Sequence, residues 1–124
     1  MQNKLVFAFT LMLFNSFVLA QEVVNQPTQN PDATYRLFNT QNIFTLLKLD
    51  TRVGTIWQVQ WGSEDERFVT PISLKELAPA EETGRFTLYP TSNIYTFILL
   101  DQKTGNTWHV QWGGPGERFI APIE

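Results

Sequence analysis

The residues of this chain best suited to chemistry come in pairs. Glu66 precedes Arg67 as Glu117 precedes Arg118, Asp50 matches Asp101, and Trp57-Gln58-Val59-Gln60-Trp61 matches Trp108-His109-Val110-Gln111-Trp112. Two carboxylates at symmetric positions are the minimal equipment for cleaving a glycosidic bond, one serving as acid and the other as base or nucleophile. The same glutamates suit a blander task, because charges entering an edge strand that ends at Pro71 or Pro122 keep that edge from pairing with another molecule. The aspartates fit turns better than catalysis: each stands four residues ahead of a glycine (Gly54, Gly105), at equivalent tips of two separate hairpins. His109 is the single histidine and its counterpart is Gln58, so the sequence holds no histidine cluster for a metal. Cysteine is absent, which removes thiol nucleophiles and disulfides. Ser63, Ser73 and Ser92 lack the pattern of a nucleophile elbow. We expect no catalytic set, no metal site and no cofactor.

Binding chemistry is better supplied. Four tryptophans in 124 residues give either core filler or platforms for sugars and partner side chains. Alternation puts Trp57, Val59 and Trp61 on one side of a strand and Gln58 and Gln60 on the other, with Trp108, Val110 and Trp112 opposite His109 and Gln111 in the second copy. Trp57 and Trp108 are expected to fill the core. Gln58, Gln60, His109 and Gln111, flanked by Trp61 and Trp112 at the strand ends, form a row of neutral donors and acceptors suited to hydroxyl-rich ligands. These six residues are the candidate ligand site.

The pairing reflects a duplication. Leu37 to Ile72 returns as Leu88 to Ile123, each residue 51 positions later and without insertion or deletion. Aromatic and β-branched runs predict strands over 35–38, 43–49, 55–61 and 68–70, and over 86–89, 94–100, 106–112 and 119–121. In the strand around 94–100, Ile94, Ile98 and Leu100 occupy one side and Tyr95, Phe97 and Leu99 the other, so both faces should be covered. Lys48 stands where Leu99 does, which makes the first copy the more exposed. Between the repeats, Ser73-Leu74-Lys75-Glu76 has capping-box spacing and predicts a short helical connector stopped by Pro79. At about 40 residues, neither repeat should fold alone. The expected fold class is therefore all-β: duplicated antiparallel strands in one small sandwich or partly closed barrel with an internal pseudo-twofold. A propeller needs about four or more blades, and two do not close a ring, so that lesser alternative requires oligomerisation.

Residues 1–20 read as an export signal, with Lys4, the apolar run from Leu5 to Phe14, and Val18-Leu19-Ala20 as cleavage site. Residues 21–33, rich in Gln, Asn and Pro, read as a disordered polar linker. The β-domain then covers 34–124, as repeats 34–73 and 85–124 joined by 73–84. Placement in the periplasm, at the cell surface or outside the cell follows. Losing Lys4 with the signal leaves eight basic and twelve acidic side chains, a net charge of about −4. Such a chain lacks the basic footprint of nucleic-acid binding. Segments that would insert into a membrane are also missing after the signal.

Arg85-Phe86-Thr87-Leu88-Tyr89-Pro90-Thr91, the run Asn93 to Asp101 and Trp108-His109-Val110-Gln111-Trp112 together resemble small exported proteins of gut Bacteroidota that carry a duplicated Trp-Gln-Val-Gln-Trp type repeat. That resemblance covers both repeats and implies envelope or extracellular placement, without catalytic residues. Gln111-Trp112-Gly113-Gly114 is similar to a segment of duplicated mannose-binding β-barrel lectins of bacteria, from which the first copy departs at Ser63. The reading that results is an exported, non-enzymatic β-domain that binds a protein or glycan. A polysaccharide hydrolase using Glu66 or Glu117, and a structural subunit assembling through its edge strands, are the alternatives.

Overall fold

Asp50 and Asp101 set equivalent tight turns, one in each repeat. The Asp50 carboxylate accepts the Arg52 amide at 3.0 Å and the Asp101 carboxylate accepts the Lys103 amide at 3.0 Å. Gly54 (φ 83°) and Gly105 (φ 82°) supply the left-handed residue that returns the chain. A second repeated device bends the other end: Asn42 and Asn93 side chains accept the amides of Phe44 and Tyr95 at 2.9 Å. There Thr40 and Thr91 donate to the carbonyls of Thr45 and Thr96. Because the Asn-centred turns consume residues 43–44 and 94–95, the strands after them start later than the apolar runs do.

The computed structural model describes residues 29–124. The expected signal, 1–20, and linker residues 21–28 lie outside the described residues. Eight strands follow in order: β1 (Tyr35–Asn39), β2 (Thr45–Asp50), β3 (Ile56–Gln60), β4 (Phe68–Ser73), β5 (Phe86–Pro90), β6 (Thr96–Asp101), β7 (Thr107–Gln111) and β8 (Phe119–Ile123). They form two four-stranded antiparallel meanders, sheet 1 from β1 to β4 and sheet 2 from β5 to β8. The chain is all-β, and the sheets pack as an open sandwich rather than closing into a barrel. Strand β2 lies beside β5, and β4 beside β8.

The expected connector helix does not form. Ser73 ends β4 opposite Ile56, and its hydroxyl accepts only the Lys75 amide, at 3.4 Å. The Leu77 amide is drawn to the Val53 carbonyl at 2.7 Å, which lays the connector against the β2–β3 turn. A hydrogen bond to a neighbouring segment has outcompeted a local one.

The faces that meet are not equivalent. Sheet 1 buries Leu47, Leu49 and Ile56, whose counterparts Ile98, Leu100 and Thr107 lie on the outer face of sheet 2, half-buried. Sheet 2 buries Phe86, Leu88, Phe97, Leu99 and Val110, whose counterparts lie on the outer face of sheet 1. The sheets thus stack front to back, where a pseudo-twofold would bring like faces together. Strand β6 is accordingly covered on one face only. Trp57 does not fill the core as expected; it sits half-buried on the outer face of sheet 1, against Tyr35 (6.4 Å, edge-on) and under the Lys48 ammonium (4.7 Å). Trp108 does pack against the core, beside Phe86 at 6.1 Å.

Each turn aspartate holds an arginine, but a different one. Asp50 pairs with Arg52 on its own turn (2.9 Å), while Asp101 pairs with Arg85 at the entry to β5 (2.9 Å). Burial alone would raise the Asp101 carboxyl. The Arg85 guanidinium, the Thr104 hydroxyl and the amides of Lys103 and Thr104 outweigh burial and hold it at about 2, against an ordinary 3.8. A carboxyl lowered on folding stabilises the fold fully above its unfolded value and loses that contribution as pH falls toward the folded one. Stability should therefore decline from about pH 4 down to about pH 2. Asp101→Asn should cost about 1–3 kcal/mol at neutral pH. In thermal melts across that window the variant should change less than the parent; parallel curves would show that the pair contributes nothing.

Candidate functional site

Register decides where each candidate residue goes. In sheet 1, Leu47 stands opposite Gln58 and Thr45 opposite Gln60, so burying the leucines carries both glutamines to the inner face. Gln58 is fully enclosed, and its amide oxygen accepts the Gly113 amide at 3.1 Å and Arg118 Nε at 3.0 Å. It ties one sheet to the other and is not available to a ligand. In sheet 2 the same strand positions face outward, and His109 and Gln111 are half-buried there. The Gln111 amide oxygen takes the Thr96 hydroxyl and lies 3.1 Å from His109 Nε2. The expected polar row is thus split between the inside of one sheet and the outside of the other.

The strand-end tryptophans diverge in the same way. Each indole N–H donates to a carbonyl of the neighbouring turn at 2.9 Å, Trp61 to Ile43 and Trp112 to Ile94. Each ring also leans on an aromatic neighbour, Phe44 at 5.1 Å and Tyr95 at 4.8 Å. Trp112 is nevertheless buried, and Trp61 is half exposed. Of the six candidates, Trp61, His109 and Gln111 are accessible on outer surfaces, Gln60 borders a cleft, and Gln58 and Trp112 are internal.

That cleft brings together residues which alternation did not join. Gln60, Phe68, Val69 and Thr70 form one wall, and Gly113, Gly114, Pro115 and Arg118 the other, around an open volume of about 610 Å³. The Gln60 oxygen takes the Thr45 hydroxyl at 2.7 Å, which fixes the side chain. Arg118 is anchored through Nε to Gln58 and spreads over the Phe68 ring at 5.7 Å. The result is one aromatic surface bordered by an amide, a hydroxyl and a guanidinium. Sequence reasoning treated Arg118 as an edge charge; its repetition as Arg67 was the signal that could have marked it. A second hollow, about 340 Å³, lies between the two Thr-x-Asn turns and includes Thr40, Thr91 and Asn93.

The glutamate pair has a local explanation. The Glu117 carboxylate folds back to accept the Gly114 amide at 3.0 Å, so close to Gly113 that a Cβ there would fall 2.8 Å from its oxygen. Glu66 approaches Gly62 in the same way. Glu117 therefore braces the turn leading into the last strand of its sheet, and Glu66 lies against the corresponding turn. Pro71 and Pro122 do lie on edge strands, β4 and β8, though both strands continue past them. Among the described residues, no three His, Cys, Asp or Glu side chains gather as metal ligands, and no helix is long and apolar enough to cross a membrane.

Comparison with family models, curated proteins and solved structures gives no match.

The asymmetry of the two rows is measurable. Gln58→Ala leaves the buried Gly113 amide without its acceptor and should cost about 1–3 kcal/mol. His109→Ala, at the equivalent position on the outer face, should cost under about 0.5 kcal/mol. Urea unfolding followed by tryptophan fluorescence compares them; equal losses would mean that Gln58 does not join the sheets.

Proposed function

We propose that this is an exported binding domain whose ligand is a hydroxyl-rich glycan held in the cleft between β4 and the β7–β8 loop. The observation that carries the reading is the cleft wall itself: the Phe68 ring backed by Arg118, with Gln60 and Thr70 beside it. A sugar presents an apolar ring face and a rim of hydroxyls. An aromatic platform takes the first, and neutral amide and hydroxyl groups take the second without the desolvation cost of charge. A shallow, open cleft suits a segment of a longer glycan better than an enclosed small molecule. The likeness to bacterial mannose-binding lectins through Gln111-Trp112-Gly113-Gly114 supports the choice of ligand class, because Gly113 and Gly114 line this cleft.

Export rests on the signal pattern of residues 1–20 and on the resemblance to exported Bacteroidota proteins. The non-enzymatic reading rests on the placement of Glu66 and Glu117 against equivalent turns, where Glu117 holds the Gly114 amide, which accounts for their repetition without chemistry.

Calorimetric titration with soluble oligosaccharides and cell-wall fragments tests the cleft. Removing the aromatic platform by Phe68→Ala should weaken binding about tenfold, and Gln60→Ala should weaken it less. Gln111→Ala, which lies off the cleft, should leave affinity unchanged. Absence of binding across the panel, or affinity indifferent to Phe68, would remove the glycan reading.

A further inference from the structure

We propose that copies of this chain associate front to back, the outer face of sheet 2 in one copy seating on the outer face of sheet 1 in the next. This contact repeats between chains the one that joins the two sheets within a chain. It does not depend on the glycan reading.

The basis is the non-equivalence of the faces that meet. A front-to-back stack of two repeats leaves one front and one back uncovered, and each is the counterpart of a surface already shown to fit the other. On sheet 1, Tyr35 is 54% exposed, Leu37 46% and Trp61 51%, whereas their counterparts Phe86, Leu88 and Trp112 are 0%, 3% and 5% exposed. On sheet 2, Ile98 and Leu100 are half-buried where Leu47 and Leu49 are completely enclosed. Contiguous exposed apolar side chains on a sheet face of a lone chain mark a candidate interface. The occupant that fits it is this chain's own opposite face.

The directional contacts recur as well. Within the chain, Gln58 is met by the Gly113 amide and by Arg118. Between chains, His109 would meet the counterparts Gly62 and Arg67. The Phe86 amide donates to the Thr51 carbonyl at 2.9 Å across the sheets; its counterpart would run from the Tyr35 amide to the Gln102 carbonyl. Edge pairing is a poorer route to assembly, because Pro71 and Pro122 each remove a donor from an edge strand.

The outer surfaces are a more polar edition of the inner ones. Lys48 replaces Leu99 on one, and Thr107 replaces Ile56 on the other. A surface that must meet water before it meets a partner needs this difference, and a permanently covered one does not. Unlike faces make a heterologous contact, which either closes into a ring or continues as a filament. Rings of four to eight four-stranded sheets are a known closed form, and would take about two to four copies of this chain.

Sedimentation velocity over a wide concentration range, on the protein as recovered from an exporting host, tests the proposal. A discrete species of about two to four protomers, or mass that grows steadily with concentration, is the expected result; a monomer at every concentration would overturn it. Leu37→Lys blocks one outer face and Tyr89→Lys the other, both at exposed positions where the fold should survive. Each variant alone should be monomeric, and an equimolar mixture should give a one-to-one dimer through the two intact faces. Association of either variant alone, or no dimer on mixing, would mean that the contact is not front to back. Lys48→Leu with His109→Gln brings each outer surface closer to its inner counterpart at one position, and should tighten association about tenfold or more. An unchanged association constant in that variant would also sink the idea, without relying on a disruptive substitution.

Discussion

Everything in this structure depends on seating the Leu47–Leu49–Ile56 face of the first sheet on the Phe86–Leu88–Leu99–Val110 face of the second. Without cysteine the chain has no covalent constraint to supplement that contact. A four-stranded meander cannot hide an apolar face by itself, so each sheet is the other's solvent shield. The demand for a dry interface is what fixes the direction of every side chain on the inner strands. It also explains why a glutamine is enclosed: Gln58 is opposite Leu47, and the buried leucine takes it along. Such an amide is tolerable only because the Gly113 amide and Arg118 satisfy it across the interface. Together with the Phe86 amide bonded to the Thr51 carbonyl, this buried amide fixes the alignment of the sheets, which hydrophobic surface alone would leave free to slide.

The repeated residues divide into those that serve a turn and those that serve a face, and the two groups have diverged differently. Gly54/Gly105, Thr40/Thr91 and Asn42/Asn93 act within a few residues of themselves, and both copies use them alike, as Asp50 and Asp101 do toward the amides two residues on. Tyr35/Phe86, Lys48/Leu99, Ile56/Thr107 and Gln58/His109 look out of the sheet, and here the copies differ. Local backbone chemistry is the same wherever a sheet stands. What lies above the sheet is not.

That division also decides how much was legible in the sequence. The all-β class, the hairpin turns and the strand positions could be read, because they rest on alternation and on short-range turn chemistry. Strand starts were misplaced by two residues where the Asn turns absorb Ile43-Phe44 and Ile94-Tyr95. The connector helix failed because Leu77 is bound by Val53, a partner invisible in a local window. The larger miss was the choice of face. Alternation separates Trp57 from Gln58 but carries no sign, and the assumption that indole goes inward and amide outward holds for Trp108 and fails for Trp57. Only the register against Leu47 settles it. The cleft was unreadable for a related reason: Gln60 and Arg118 are far apart in the chain, and meet because unlike faces of the two repeats are apposed.

The meander order carries a kinetic consequence. Every hydrogen-bonded strand pair joins neighbours along the chain, so no ladder requires closing a long loop. The cost of ordering is met hairpin by hairpin, the first two of each sheet closed by an asparagine and an aspartate turn. Apposition of the two sheets is the contact that brings distant residues together, and it removes most of the apolar surface from water. The local pairing puts the protein among β-folds of low contact order, a topology associated with faster folding.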